Sequence, residues 1–281
     1  HTASYQHWRG GHPSEVPEGE THGESWAHEP VHPIPLLTVS PEGLADLAAN
    51  LILPGVSGDE DPEVSILIPV YEQIAYTLCC LAAIAAAPPR ATIEILVIDD
   101  ASQDATGSLL ARVRGISYVR NETNLGFLRS INRGAALARG RYLHLLNNDT
   151  QVQPGWLDAL LAACHEEPEA GLVGSKLIYP SGHLQEAGAA LRRDGRVDLI
   201  GLNAHPTTPA YNQRRRVDHC SGASILIDKA LFEQLGGLDE ALAPAYFEDC
   251  DLSLRVQAAG RAVIYEPGSV VVHHLSVTSN A

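Results

Sequence analysis

From Val64 onward the apolar residues fall into short continuous runs that alternate with stretches of helical spacing. "VSILIPV" (64–70) is unbroken and rich in β-branched residues, as expected of a strand buried on both faces. A helix is predicted from about Ala75 to Ala87, stopped by Pro88-Pro89. "IEILVID" reads as a second buried strand, followed by the polar turn "DASQDAT" and a helix through Leu109 to Val113. "ISYV" is a third strand. "FLRSINRGAALA" sets Phe127, Ile131, Ala135 and Ala138 at helical spacing, and "RYLHLLN" is a fourth strand. After Trp156 a helix runs to about His165, and "AGLVGSKLI" is strand-like. The period is lost over residues 181–219. It returns with "GASILID", a helix at "KALFEQLGG" and another in "EDCDLSLRVQAAG"; "AVIYEP" and "SVVVHH" read as two further strand-like segments. Strands and helices in alternation predict an α/β domain of βαβ units around a mainly parallel central sheet flanked by helices, with ligands beyond the carboxyl ends of the strands.

The first 62 residues look different. They carry Gly, Pro, Glu and six of the 13 histidines (His1, His7, His12, His22, His28 and His32) at no regular spacing, so an irregular extension with one short helix near Leu44–Leu53 is expected rather than a metal site. Charge follows the same division. Residues 1–63 hold 11 acids and one base, a net −10, whereas 64–281 hold 23 acids and 18 bases, a net −5. No basic stripe marks a nucleic-acid partner. The five cysteines (Cys79, Cys80, Cys164, Cys220, Cys250) are odd in number and lack zinc-ligand spacing, which predicts buried free thiols in a reducing compartment. No apolar run approaches the ~20 residues of a membrane span, and no leader is seen, so a cytoplasmic protein is expected, with peripheral attachment at the inner membrane face as a further option. A first residue other than Met leaves room for further domains in a longer parent chain.

The polar residues that end the strands carry the chemistry. "RYLHLLNNDT" closes its most apolar strand on Asn147, Asn148 and Asp149, where a carboxylate suits Mg²⁺ or Mn²⁺ and the ion keeps room for diphosphate oxygens. Asp99 and Asp100 end the second strand at the same rim. They either close an Asx-type turn or accept hydrogen bonds from a base or ribose. Glu248, Asp249 and Asp251 open a helix whose apolar face is Leu252, Val256 and Ala259. Acids favour any helix N-terminus, and Asp251 is spaced to pair with Arg255. A helix end fixed by its apolar face also gives the fixed carboxylate that a general base requires. "VVVHH" puts His273 and His274 at a strand end, one facing each side.

Five segments in this order, "VSILIPVYE", "VIDDASQDAT", "NLGFLRSINRGAALARGRYLHLLNND", "GLDEALAPAYFEDCDLSLRVQAAG" and "VVVHH", resemble family 2 of the nucleotide-sugar glycosyltransferases, of GT-A fold, over about Val64 to His274. Bacterial enzymes that build O-antigen and similar surface glycans, including rhamnosyltransferase-like members, are the nearest in character. The resemblance implies a nucleotide-sugar half (63–150) and an acceptor and catalytic half (151–281), a nucleotide-diphosphate sugar donor, a glycan or lipid-linked glycan acceptor, a divalent metal (Mg or Mn) and inversion at the sugar. Pro69, Tyr71 and Glu72 would flank the nucleotide, Asp99 and Asp100 would contact base or ribose, and Asn124, Gly126 and Phe127 would shape the donor site. Asn147, Asn148 and Asp149 occupy the DXD-type position, with Asp149 and His273 as metal ligands. Asp249 matches the catalytic base. Gly222, Glu248 and Arg214 fall on the acceptor side, with the Arg-rich stretch from Arg192 to Arg216. Two departures stand out: Glu72 replaces the family's usual Asn, and the DXD-type motif has a single acid.

Other α/β readings fit less well. A dinucleotide dehydrogenase needs G-x-G-x-x-G after the first strand, which is absent. A nucleotidyltransferase needs a basic, Gly-rich triphosphate loop there, and "PVYEQIAY" is neither. A non-catalytic nucleotide- or glycan-binding relative would keep the same pattern.

Overall fold

The computed structural model describes residues 30–55, 61–243 and 247–275. Its frame is a sheet that begins with β1 (Val64–Val70), β2 (Ile93–Asp99), β3 (Ser117–Arg120) and β4 (Tyr142–Leu146), paired in parallel in the order β3-β2-β1-β4. Every residue of β1 and β4 is buried, because helices cover both faces. β11 (Ser224–Asp228) adds to β4 antiparallel, and β6 (Ala170–Ile178) lies antiparallel on β11. β12 (Ala262–His273) then runs parallel to β6, and β10 (Arg215–Arg216) closes that edge antiparallel. Six strands therefore share one direction, as the alternation predicts.

The helices α1 (Leu44–Asn50), α2 (Ile74–Ala86), α3 (Thr106–Leu110), α4 (Phe127–Leu137), α5 (Trp156–Glu166), α6 (Lys229–Gln234) and α7 (Glu248–Ala258) divide the core into two hydrophobic layers, one on each face of the sheet. α4 turns Leu128, Ile131 and Ala135 inward, while Phe127 is only partly buried at its start. Gly134 lets that helix approach β1 and β2: a Cβ there would meet Ile98 Cδ1 at 2.8 Å. All five cysteines are free, and all but the half-buried Cys164 are buried. No helix among the described residues is long and apolar enough to cross a membrane.

Three regions, holding five strands, differ from the sequence reading. "AVIYEP" and "SVVVHH" are one strand, β12, whose register slips between Glu266 and Val270; Pro267 and Gly268 there mimic a turn but form a bulge. β5 (Thr150–Val152), too short to show a period, pairs antiparallel with the end of β12. The arrhythmic stretch holds β7 (Leu184–Glu186) on β6, and a hairpin of β8 (Ala189–Leu191) and β9 (Val197–Leu199). Before β1, the short helix expected near Leu44–Leu53 is α1. Ala48, Leu51 and Leu53 around it join the main core, and Leu53 N donates to Arg114 O. Of the six N-terminal histidines, only His32 lies within the described residues.

Candidate active site

The carboxyl ends of β1, β2 and β4 form one rim, and its turns are tightly specified. Glu72, Gln73 and Ala101 all adopt positive φ, a conformation that costs a non-glycine residue about 1 kcal/mol. Glu72 N donates to Ser102 Oγ at 2.7 Å, tying the turn after β1 to the turn after β2. Pro69 is buried within β1, and Tyr71 and Glu72 follow it half-exposed at the rim.

The two acids at the end of β2 hold this rim together. Asp99 accepts from Tyr118 Oη at 2.5 Å, from Ser102 N at 2.9 Å and from Arg120. Asp100 accepts from Asn121 Nδ2 at 2.7 Å, Leu125 N at 2.7 Å and Gly126 N at 2.8 Å. The Asx-type turn and the rim position thus occur together, and the "NLGF" loop hangs from Asp100. Asn124 is exposed, and its side chain accepts from Gly126 N at 3.1 Å. Gly126 carries φ 84° at the start of α4, beside Phe127.

At the end of β4, Asn147 N donates to Ala223 O at 3.0 Å, and Asn148 Nδ2 donates to Thr77 Oγ1 at 3.0 Å. Asp149 is then carried next to β12. Its backbone carbonyl accepts from His274 N at 3.0 Å, and Thr150 faces His273 in the β5–β12 ladder. The result is a buried pair, with Asp149 Oδ1 3.3 Å from His273 Nε2. His274 turns the other way, edge-on to Tyr76. Gln185, at the centre of β7, sits 3.1 Å from the far ring nitrogen, Nδ1 of His273, with its Oε1. An amide oxygen can only accept, so Nδ1 carries a proton, and in the neutral tautomer the Nε2 lone pair faces the Asp149 carboxylate. Two electron-rich atoms facing each other at 3.3 Å suit a cation between them, and a carboxylate with an imidazole suits Mg²⁺ or Mn²⁺. The residues therefore fit the divalent ion.

Asp249 converges on the same rim from α7. Its Oδ2 accepts from Gly222 N at 2.9 Å and its Oδ1 from Cys250 N at 2.8 Å. Gly222 stands next to Ala223, the residue that holds Asn147. A Cβ at Gly222 would lie 3.3 Å from Asp249 Cβ, so the glycine fits closely under the carboxylate. The segment reaches this position because Gly174 of β6 leaves space for Cys220; a Cβ there would be 2.2 Å from Cys220 Cβ. Glu248 stands beside Asp249 at the start of α7, half-exposed. Asp251 pairs with Arg255 at 2.7 Å, as its spacing predicts.

Three nearby residues gave no sequence signal. They are Gln185, Glu186 and His219, all in the arrhythmic stretch. Glu186 is buried, accepts from Ser221 N at 3.0 Å, and burial pushes its carboxyl above the usual carboxylate range. His219, Asp249 and Cys250 lie within 4.8 Å of one another, but burial drives the Cys250 thiol far up, which makes it a poor partner for a hard cation.

Arg214, expected on the acceptor side, is not brought to this rim. Its guanidinium binds Glu266 Oε2 at 2.5 Å and Glu166 at 2.7 Å. Glu266 lies seven residues of extended chain before His273, roughly 20 Å away. Arg192, Arg196 and Arg216 likewise pair with Asp198, Asp194 and Glu169 on the protein's own surface. In that stretch, neighbouring acids compete for the arginines, which residue counting does not reveal.

Comparison with known proteins identifies the family and the fold. A family model described as glycosyl transferase family 2 matches residues 65–236, more than half of the chain. An N-acetylglucosaminyl-diphospho-decaprenol L-rhamnosyltransferase of Mycobacterium tuberculosis is 30% identical over 205 residues, 65% of this chain and 66% of that protein. An O-antigen biosynthesis protein, RfbC, of Myxococcus xanthus is 33% identical over 162 residues, 53% of this chain and 12% of that protein. The chain thus spans only part of the relatives it matches. Among solved structures, GalNAc-T7 with UDP, GalNAc and Mn²⁺ superposes with a TM-score of 0.66 at 18% identity, over 92% of this chain and 56% of that one, a likeness of fold. The fold is GT-A, and the chain belongs to glycosyl transferase family 2.

Proposed function

We propose that the chain transfers a sugar from a nucleotide-diphosphate donor to a hydroxyl acceptor with inversion at the anomeric carbon. The observation that carries this reading is the meeting, at one rim, of the Asp149–His273 pair and the Asp249 carboxylate, joined through Asn147, Ala223 and Gly222. Asp249 takes the proton of the acceptor hydroxyl while that oxygen attacks the anomeric carbon from the side opposite the diphosphate. Two backbone N–H groups fix the carboxylate, so its direction is set before the substrate arrives. Asp149 and His273 would hold Mg²⁺ or Mn²⁺, which when bound supplies positive charge to offset the leaving diphosphate. Pro69, Tyr71, Glu72, the Asp99–Asp100 turn, Asn124, Gly126 and Phe127 form the nucleotide side, with Asn147 and Asn148 toward the sugar. Gly222 and Glu248 stand on the acceptor side.

The acceptor we favour is a surface glycan or its lipid-linked precursor, by analogy with the named mycobacterial and myxobacterial relatives. A lipid-linked acceptor would be met at the inner membrane face from the cytoplasm. The test is a panel of UDP-, GDP- and dTDP-sugars with Mg²⁺ or Mn²⁺, scored for nucleotide diphosphate release and for thermal stabilisation. Asp249→Asn should lose about 10²–10⁴-fold in transfer while keeping nucleotide-dependent stabilisation. Transfer at the wild-type rate in that variant removes Asp249 from the role of base.

A further inference from the structure

Behind Asp249 lies a buried imidazole. His219 is fastened by reciprocal backbone bonds to Ala189, with Ala189 N donating to His219 O at 2.8 Å and His219 N donating to Ala189 O at 3.2 Å. Its side chain is wedged between α7 and the end of β7. Nδ1 lies 3.3 Å from Ser253 Oγ, and Nε2 lies 3.9 Å from Asp249 Oδ2. The serine settles the tautomer. Its only proton is given to the Asp249 backbone carbonyl at 2.8 Å, so its oxygen accepts from His219, and in the neutral ring Nδ1 holds the one hydrogen. Nε2 is then a bare lone pair aimed at the carboxylate. A neutral ring in that orientation cannot donate to Asp249. It can only receive.

Resting on the reading of Asp249 as the base, we propose that His219 is a positioning residue that takes over the acceptor's proton from Asp249. The acceptor O–H bond breaks and its proton passes to Asp249 as the oxygen bonds to the anomeric carbon. The bond from that carbon to the diphosphate breaks, and its electron pair leaves with the nucleotide diphosphate. The proton then moves from the Asp249 carboxyl to Nε2 of His219, which restores the carboxylate and leaves an imidazolium. Oδ2 stays held by Gly222 N, so the 3.9 Å gap closes by a small tilt of the His219 ring, since catalytic hydrogen bonds are often long before substrate binds and tighten in the complex. The other titratable groups facing the ring are Glu186 from β7 and Cys250 from α7, with Asp218 and Cys220 flanking it in the chain. Asp218 is engaged elsewhere, accepting from Leu191 N at 2.9 Å, and the buried thiols stay protonated. The restored Asp249 carboxylate, 3.9 Å from Nε2, is thus the counter-charge beside an imidazolium.

Two measurements decide the matter. Side-chain ¹⁵N spectra of the wild-type protein alone, with His219 assigned by its disappearance in His219→Gln, should show neutral His219 protonated on Nδ1. A neutral ring protonated on Nε2 overturns the proposal, and this result needs no variant beyond the assignment. With the nucleotide sugar that scores in the panel, His219→Gln should lose at least about tenfold in kcat. It should keep the donor KM and show one ionisation fewer on the acid limb of its pH–rate profile. A wild-type rate with an unchanged profile in His219→Gln, beside an inactive Asp249→Asn, rejects the relay and leaves the base assignment standing. Full activity in Asp249→Asn rejects both.

Discussion

Glu72 sits at φ 55°, a backbone state that Asn tolerates better than other side-chain-bearing residues. The family's usual Asn at this position therefore has a conformational reason as well as a contact reason, and the departure to Glu leaves the turn formed but strained. Gln185 shows the opposite case, a residue without any sequence signal whose effect is large because it fixes which nitrogen of His273 is bare. Gln185→Leu should keep the fold and weaken Mn²⁺ binding by about 10–100-fold in titration calorimetry. Unchanged affinity would mean that the ring keeps its tautomer without the amide.

At the scale of elements, the strands and helices from β1 to β4, and the helix α5, were legible because their periods and stops such as Pro88-Pro89 show in the chain. So were the acids at the rim, since strand ends and helix starts can be read from the chain. The hidden elements are the short ones. β5 and β7 have three residues each, and they place Asp149 on β12 and Gln185 on His273. Their existence depends on partners far away in the chain, which no local pattern encodes. Close packing is similarly non-local: Gly134 looks like a weak point in a helix yet is the contact between α4 and Ile98. Gly134→Val should destabilise the protein by about 1–3 kcal/mol in urea unfolding through overpacking, more than Val's better helix propensity returns. A stability equal to the wild type would show that α4 can shift outward freely.

For the molecule as a whole, the buried polar seam through the sheet sets the acid response. His144 of β4 stacks edge-on with Trp156 at 4.9 Å and meets Ser224 Oγ at 3.1 Å. Ser224 in turn meets Ser175 at 2.7 Å, and Ser175 meets Ser269 at 2.8 Å. Burial lowers the His144 pKa to about 3. The unfolded chain binds this proton near pH 6.5 and the folded one only near 3, so between those values the unfolded state holds more protons and stability falls as the pH is lowered. This one group should remove on the order of 4 kcal/mol between pH 6.5 and 3. Unfolding free energies measured across that range should show the slope, and His144→Phe should flatten it. An identical slope in the variant would assign the acid response to other groups.

The β5–β12 ladder has a consequence of its own. Asp149 directly precedes β5 and His273 ends β12, and the spacing of these two strands is set by main-chain bonding, from Val271 with Val152 to His273 with Thr150. Under the proposed function, the folded chain would carry the socket at its final dimensions before any ion arrives, and the ion would enter as cargo rather than as scaffold.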